Sequence, residues 1–337
     1  MDIIKIKSIL DNFSEFSGVV QIVENGRVML NEAKGFAKRF DEIPNKIDTS
    51  FGIASGTKGF TALAILKLID DGKLSLSDDV FKLLPYNFPN IKEKITVNQI
   101  LSHTSGIYDY YDEEAIEDFG ELFKAVPINK IFGPSDMLPL LTTGDCYFTP
   151  GEKFKYCNSG FVILGILIEV ISGMKYSEYL NQKIIKPLNL QNTGCYLTNQ
   201  LPINSSHGYM QKEDGYWISN IFEIPLACTA DGGIYTTADD IAKMWNGFLE
   251  GNLISVELKK LALSPQAHIY DDRYYGLGFY IQQNKNGSIK KVYLEGGDPG
   301  VGFLSYYYIK EKRIITIISN SDDTAWDLNG MINDYMD

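Results

Sequence analysis

Apolar residues recur at Ile3, Ile6, Leu10 and Phe13, a spacing that predicts an amphipathic helix over residues 2–14. The pattern then shifts to short apolar runs. Gly18-Val-Val-Gln-Ile-Val and Val28-Met-Leu flank Glu24-Asn-Gly-Arg27. Asn-Gly between such runs predicts a tight hairpin. A strongly apolar helix follows the segment Phe51-Gly-Ile-Ala-Ser-Gly-Thr-Lys58. Asp70-Asp-Gly-Lys73 predicts its end, with Gly72 as the C-terminal cap. Residues 76 to about 199 read as helical and loop-rich, with a loop from Tyr108 to Phe119 and a long helix from Gly160 to Ile171. Strands return from about residue 205. Tyr274–Ile281 reads as one strand and Lys290–Leu294 as another. Phe303–Ile309 and Arg313–Asn320 read as a hairpin through Lys310-Glu-Lys312, and a terminal helix is expected from about Asp323. This order predicts an α+β fold of three layers (αβα). Its antiparallel sheet is built from both chain ends, flanked by helices, with a mainly helical insertion. The expected parts of this single unit are a sheet region of about 1–75 and 200–337 and a helical region of about 76–199.

Composition narrows the function. The 337 residues carry a formal net charge of −12. Phosphate backbones and anionic bilayers would be repelled, which disfavours nucleic-acid and membrane-surface binding. No stretch reaches the ~18 apolar residues of a membrane span. The N-terminal segment has no continuous apolar region followed by a small-residue cleavage site. It reads as an ordinary helix, and the compartment stays open between cytoplasm and envelope. Cys146, Cys157, Cys195 and Cys228 form no CxxC pair and read as buried free thiols. His103, His207 and His268 are scattered and there is no HExxH, so zinc is not expected.

Candidate chemistry begins with Ser55 and Lys58. A serine hydroxyl at neutral pH is a poor nucleophile without a base beside it. Residues i and i+3 share a helix face, so a helix starting near Ser55 holds the Lys58 amine over the Ser55 oxygen. The helix N-terminus adds positive potential and free N–H donors. S-x-x-K also occurs at Ser172/Lys175 and Ser288/Lys291. Ser172 precedes Gly173 at a helix end, and Ser288 follows Asn286-Gly287 in a turn. Ser55 alone stands at a strand-to-helix entry, where its plainer reading is a helix N-cap. Tyr156-Cys-Asn158 follows Phe148-Thr-Pro-Gly-Glu-Lys-Phe-Lys155. A tyrosine near a lysine can act as general base, and an asparagine amide can hold a substrate carbonyl or orient the lysine. The second Y-x-N, Tyr179/Asn181, falls in mid-helix and reads as packing. Leu294-Glu-Gly-Gly-Asp-Pro-Gly300 runs from a strand into glycines, where a substrate can approach the backbone closely. An N–H there, paired with that of Ser55, can form an oxyanion hole.

In this order and context the three features resemble the serine β-lactamase and penicillin-binding D-alanyl-D-alanine peptidase superfamily, in its Y-x-N branch. Further segments are similar to that group's: Ile95–Ile107 (with Leu101-Ser-His-Thr-Ser-Gly-Ile), Ile185–Thr193 and Asp231–Asp240. The resemblance implies a β-lactamase/transpeptidase-like fold with the active site in a cleft and no metal or cofactor. It implies a serine hydrolase that cleaves an ester, amide or peptide bond of a small-molecule or peptide substrate through an acyl-enzyme on Ser55. Lys58 and Tyr156 are then the proton acceptors, Asn158 positions substrate, and Gly296 and Gly297 belong to the substrate and oxyanion site. His103 matches a structural histidine. The oligomeric state, monomer or larger, is not implied.

One departure stands out. The third motif of that superfamily usually carries Lys or His, then Thr or Ser, then Gly, and here the residues are Leu294-Glu295-Gly296. Either Glu295 faces the cleft and selects a neutral or cationic substrate, or it points to solvent. The loss of the cation also leaves an alternative open: a catalytically weakened binding or regulatory protein on the same fold.

Overall fold

The computed structural model describes residues 1–112, 123–124 and 126–336. An eight-stranded sheet forms its centre. Its strands are β1 (Gly18–Glu24), β2 (Arg27–Lys34), β3 (Ala267–Tyr270), β4 (Arg273–Tyr275), β5 (Tyr280–Gln283), β6 (Ile289–Asp298), β7 (Val301–Tyr308) and β8 (Arg313–Ser319). They lie in the order β3-β4-β5-β6-β7-β8-β1-β2, and every neighbouring pair is antiparallel. The first and last stretches of the chain therefore meet at β8 and β1, where Gly18 is in register with Ser319.

The central strands read as continuous apolar runs because both of their faces are covered. Every residue of β7 and β8 is buried. Alternation splits their side chains between two cores. Phe303, Tyr307, Ile314 and Ile318 join one core, and Leu304, Tyr306, Ile315 and Ile317 join the other. Helices α1 (Ile3–Asn12) and α5 (Thr324–Ile332) cover the second core. On the opposite side lie α2 (Thr57–Asp70), α3 (Asn158–Ser172) and α4 (Ala238–Leu249). These are the three layers expected from the sequence. From Phe60 to Leu66 every residue of α2 is buried, and Asn158–Ile168 of α3 is equally covered. Helices apolar all round are core helices, and these two carry Lys58 and Asn158.

The tight hairpin falls at Asn25-Gly26, both with positive φ, as Asn-Gly predicts. Tyr274–Ile281 is two strands rather than one. Gly276 donates to the Phe279 carbonyl at 2.8 Å and Gly278 has φ of +90°. That turn folds Tyr275 against Tyr280 as neighbours in register. The 2–14 helix shortens to Ile3–Asn12, and the Gly160–Ile171 helix extends to Asn158–Ser172. Among the described residues of 76–199 the helices other than α3 are short, and Gly194–Cys195 is a strand that pairs with Ile234–Thr236. Of the thiols, Cys157 and Cys228 are buried, whereas Cys146 and Cys195 are half-buried. Part of the predicted Tyr108–Phe119 loop, residues 113–119, lies outside the described residues. Among the described residues no single helix is long and apolar enough to cross a membrane.

Trp245 of α4 ties a helix to the sheet: it is fully buried and its indole N–H donates to Ser305 Oγ at 2.9 Å. Trp245→Ala is expected to lower unfolding free energy by about 3–5 kcal/mol in urea titration. A loss below about 1 kcal/mol would contradict this packing.

Candidate active site

Ser55 lies in a single 3-10 turn, Ala54–Gly56, immediately before α2. In that tighter turn i and i+3 side chains eclipse, which brings Lys58 over Ser55. Ser55 is not an N-cap; Gly56 occupies that position. The residue before Ser55, Ala54, has φ of +44°. A left-handed alanine costs roughly 1–2 kcal/mol, so the surroundings must hold it. They do so from both sides. The strand Phe51–Gly52 pairs with Ile234–Thr236. The Ile53 N–H donates to the Ile234 carbonyl at 3.0 Å, and the Ile234 N–H donates to Thr57 Oγ1 at 3.0 Å. Behind the turn runs β6. A Cβ on Gly296 would stand 2.3 Å from the Ile53 carbonyl oxygen and 2.7 Å from the Ser55 nitrogen. Only glycine lets the strand come so close.

Lys58 is 2% exposed. Its Nζ contacts Ser55 Oγ at 2.8 Å, Asn158 Oδ1 at 2.7 Å and the Asp231 carbonyl at 2.9 Å. The last two are acceptors only, so each takes an N–H from the lysine. The third position of the nitrogen points at the serine hydroxyl, which can donate or accept. A neutral amine with both its protons committed in this way directs its lone pair at the Ser55 O–H. The Asn158 amide is itself oriented. Its Nδ2 donates to the Tyr111 carbonyl at 3.0 Å and to Asp109 Oδ2 at 3.4 Å. Asp109 also accepts the N–H groups of Asn158 at 3.0 Å and Ser159 at 2.8 Å, the first free donors of α3. Burial is the largest influence on Asp109. It outweighs the Ser159 and Asn158 N–H groups and the charge of Lys58, and pushes the carboxyl up to about 6.

Asp231 completes the frame. Its carboxylate accepts from Tyr110 Oη and Thr229 Oγ1, each at 2.6 Å. Its carbonyl stays aimed at Lys58, and the preceding Ala230 has φ of +77°. Tyr156 is half-buried, with Lys58 Nζ 5.0 Å from its ring centre. The His103 ring packs against it at 4.4 Å. His103 accepts the Cys157 N–H through Nδ1 at 3.1 Å, and its carbonyl accepts from Lys155. Burial, then the nearby Lys58, holds this imidazole well below its ordinary range, so it is neutral. His103 is thus placed to fix the backbone on both sides of Tyr156.

A pocket opens beside Ser55, with Asn158, Gly297, Asp298, Asp231 and Tyr110 in its lining. Ser55, Asn158 and Gly297 therefore share one cavity, with Lys58 beneath Ser55. Tyr156, Gly296 and Glu295 lie outside that lining; Gly296 packs behind the turn. Glu295 is half-buried, on the face of β6 away from α2. Burial, then the charge of Glu295, pushes the Tyr293 phenol up to about 12. Glu295 also acts on Tyr275 and Tyr280, the same two rings on which Tyr156 acts, and it lies within electrostatic reach of Arg273. It does not simply point to solvent. Leu294 is 2% exposed and packs where a Cβ on Gly59 would be 2.6 Å from its Cδ1. Sequence reasoning missed Asp109 and the Asp231 carbonyl. The carboxylate three residues after Gly106 was a visible signal, whereas a main-chain acceptor has no residue signature.

A family model described as Beta-lactamase matches residues 6–332 of the chain. Penicillin-binding protein 4* of Bacillus subtilis (strain 168) is 28% identical over 324 residues, which span 92% of this chain and 69% of that protein. A penicillin binding protein from Bacillus halodurans superposes with a TM-score of 0.92 at 35% identity, covering 98% of this chain and 100% of the other. The octameric penicillin-binding protein homologue from Pyrococcus abyssi superposes with a TM-score of 0.84 at 26% identity, covering 99% of this chain and 78% of that one.

Asp109 provides a pH test. Its carboxyl titrates near 6 in the fold and near 3.9 when unfolded. The folded protein therefore keeps a proton that the unfolded chain has lost. The stabilising contribution is complete below about pH 4 and lost as pH rises through about 6. Asp109→Asn removes this dependence. Between pH 4 and 6 its stability relative to wild type should climb by up to about 1.4 kcal/mol per pH unit. Parallel urea-derived stability curves for the two proteins would contradict it.

Proposed function

Because the chain belongs to the Beta-lactamase family, we propose that Ser55 is the nucleophile of its hydrolytic reaction, with Lys58 and Tyr156 moving the protons. The protein is a β-lactamase-related serine hydrolase. The observation that carries the assignment of residues is the Lys58 nitrogen, 2.8 Å from Ser55 Oγ and bonded otherwise to two acceptor-only oxygens. In the proposed sequence, Lys58 Nζ takes the Ser55 proton as Oγ forms a bond to the substrate carbonyl carbon. The N–H groups of Ser55 and Gly297, both of which line the pocket, hold the oxyanion. Tyr156 passes a proton to the departing oxygen or nitrogen as its bond to carbon breaks, which leaves an ester on Ser55. Water then attacks that ester, gives its proton to Tyr156, and the acid leaves as Oγ recovers its proton from Lys58. Asn158 positions Lys58 and the substrate carbonyl. Every group required is a side chain or main-chain N–H of this chain.

The altered third motif bears on substrate choice. Leu294 is core-packed and supplies no cation, and Glu295 puts negative charge where the superfamily pattern has a hydroxyl. The proposed substrates are therefore esters, amides or peptides that are neutral or cationic beside the scissile bond. A substrate carboxylate at that place would meet like charge.

Two measurements test these assignments. A fluorophosphonate is expected to label Ser55 covalently, as read by intact-mass and peptide-mass spectrometry. Ser55→Ala should not be labelled, and ester turnover should fall at least 10³-fold. Equal labelling of Ser55→Ala would refute the nucleophile. Glu295→Thr should raise kcat/KM for carboxylate-bearing substrates such as nitrocefin about 10-fold relative to neutral p-nitrophenyl esters. An unchanged ratio would remove Glu295 from substrate selection.

A further inference from the structure

The wall of the Ser55 pocket carries a carboxylate that no proton-transfer step uses. Asp298 ends β6 and lines that pocket, as do Ser55, Asp231 and Gly297. Side chains on a strand alternate between its two faces. Leu294 faces α2 and Gly296 faces the Ser55 turn, so Asp298 stands on that same face. Gly297 faces the other way, where a Cβ would be 3.0 Å from Trp326, and Glu295 shares its side of the strand. A Cβ on Gly232, which lines the same pocket, would lie 3.9 Å from Asp298 Oδ2 and 3.9 Å from the Ala54 carbonyl carbon, the atom bonded to the Ser55 nitrogen. The Asp298 carboxylate and the Ser55 turn thus flank one point. The turn beyond Asp298 is held in place. The Pro299 carbonyl accepts from Asn220 Nδ2 at 2.9 Å, and the Gly300 N–H donates to the Asp322 carboxylate.

Charge in this wall has one sign. Among the described residues that line the pocket, none is Lys, Arg or His. Residues 113–122, 125 and 337 contain none. Both oxygens of Asp231 already accept hydroxyl groups, from Tyr110 and Thr229. Burial, then the charge of Asp298, pushes the phenol of Tyr235, another wall residue, above its ordinary range. A carboxylate in such a wall attracts a cation and repels an anion. Asp298 is one residue beyond the Gly297 N–H, the proposed oxyanion donor, so the cation it meets lies close to the scissile carbonyl. An ammonium group donates up to three hydrogen bonds and matches this acceptor. Resting on the reading of Ser55 as nucleophile, we infer that Asp298 binds a substrate ammonium group beside the scissile carbonyl, which narrows the substrates to amine-bearing esters, amides or peptides.

Paired substrates test it. Alanine p-nitroanilide, as each enantiomer, is compared with 2-methylpropanoyl p-nitroanilide, in which a methyl group replaces the ammonium. 2-(Dimethylamino)ethyl acetate is compared with 3-methylbutyl acetate, which moves the cation to the leaving group. In the wild-type protein kcat/KM should favour the cationic member of at least one pair about 30-fold, and Asp298→Asn and Asp298→Ser should each cut that preference about 10-fold. The pair that responds tells which side of the scissile bond carries the amine. Taking the ratio within each variant cancels any general loss of folded protein. No preference in wild type, a preference kept in both Asp298 variants, or a loss in Glu295→Gln that the Asp298 variants do not share would overturn the assignment. Failure of the Ser55 reading looks different: Ser55→Ala would then hydrolyse 3-methylbutyl acetate as fast as wild type, whatever the ratios in the Asp298 variants.

Discussion

The structure depends on one buried nitrogen. Lys58 is almost wholly removed from water, yet its nitrogen makes good hydrogen bonds to the oxygens of Ser55, Asn158 and Asp231. Burying an amine without such partners is expensive. Two of the partners, the Asn158 amide and the Asp231 carbonyl, lie 100 and 173 residues away in the chain. Satisfying Lys58 thus requires α2, α3 and the turn before Ile234–Thr236 to meet at one point. The stability of the fold and the aim of the nitrogen at Ser55 share a cause.

Around that nitrogen the chain accepts strain and close approach. Left-handed alanines precede both Ser55 and Asp231. Gly56, Gly59 and Gly296 let α2 and its leading turn lie against β6 and β7 at distances a Cβ would forbid. Such features persist where the surrounding structure over-determines them. The short sheet of Phe51–Gly52, Ile234–Thr236 and Gly194–Cys195 does this for Ala54, because Ile234 is bonded to Ile53 and to Thr57, and the Ala230 carbonyl accepts from Thr61 Oγ1. The acidic frame of Asp109 and Asp231 then sets the Asn158 amide and the Asp231 carbonyl, the two acceptors on Lys58.

Much of this was legible in the sequence, for local reasons. The Asn25-Gly26 hairpin, the continuous runs of β7 and β8, and the choice of Ser55 among three S-x-x-K matches followed from turn chemistry and periodicity. Ser172 does end a helix, with Gly173 left-handed behind it, and the Ser288 side chain bonds Asn286 within a turn. Tyr179 is buried, as a packing tyrosine should be. What was not legible depends on tertiary partners. Tyr274–Ile281 has the composition of one strand. It is broken by a turn whose Leu277 and Gly278 N–H groups are claimed by the distant carbonyls of Ala262 and Leu101. A carbonyl such as that of Asp231 leaves no trace in residue type. Whether Glu295 faced cleft or solvent was also undecidable from alternation alone, because residues on both faces of β6 are buried.

The central claim is that Asn158 works through Lys58, as one proton-moving unit with Ser55. A double-mutant cycle on the rate of Ser55 acylation, with Lys58→Ala, Asn158→Ala and the pair, tests it most directly. A shared unit predicts that the double variant is no slower than Lys58→Ala alone. Losses that multiply, each variant costing its full factor in the presence of the other, would contradict it.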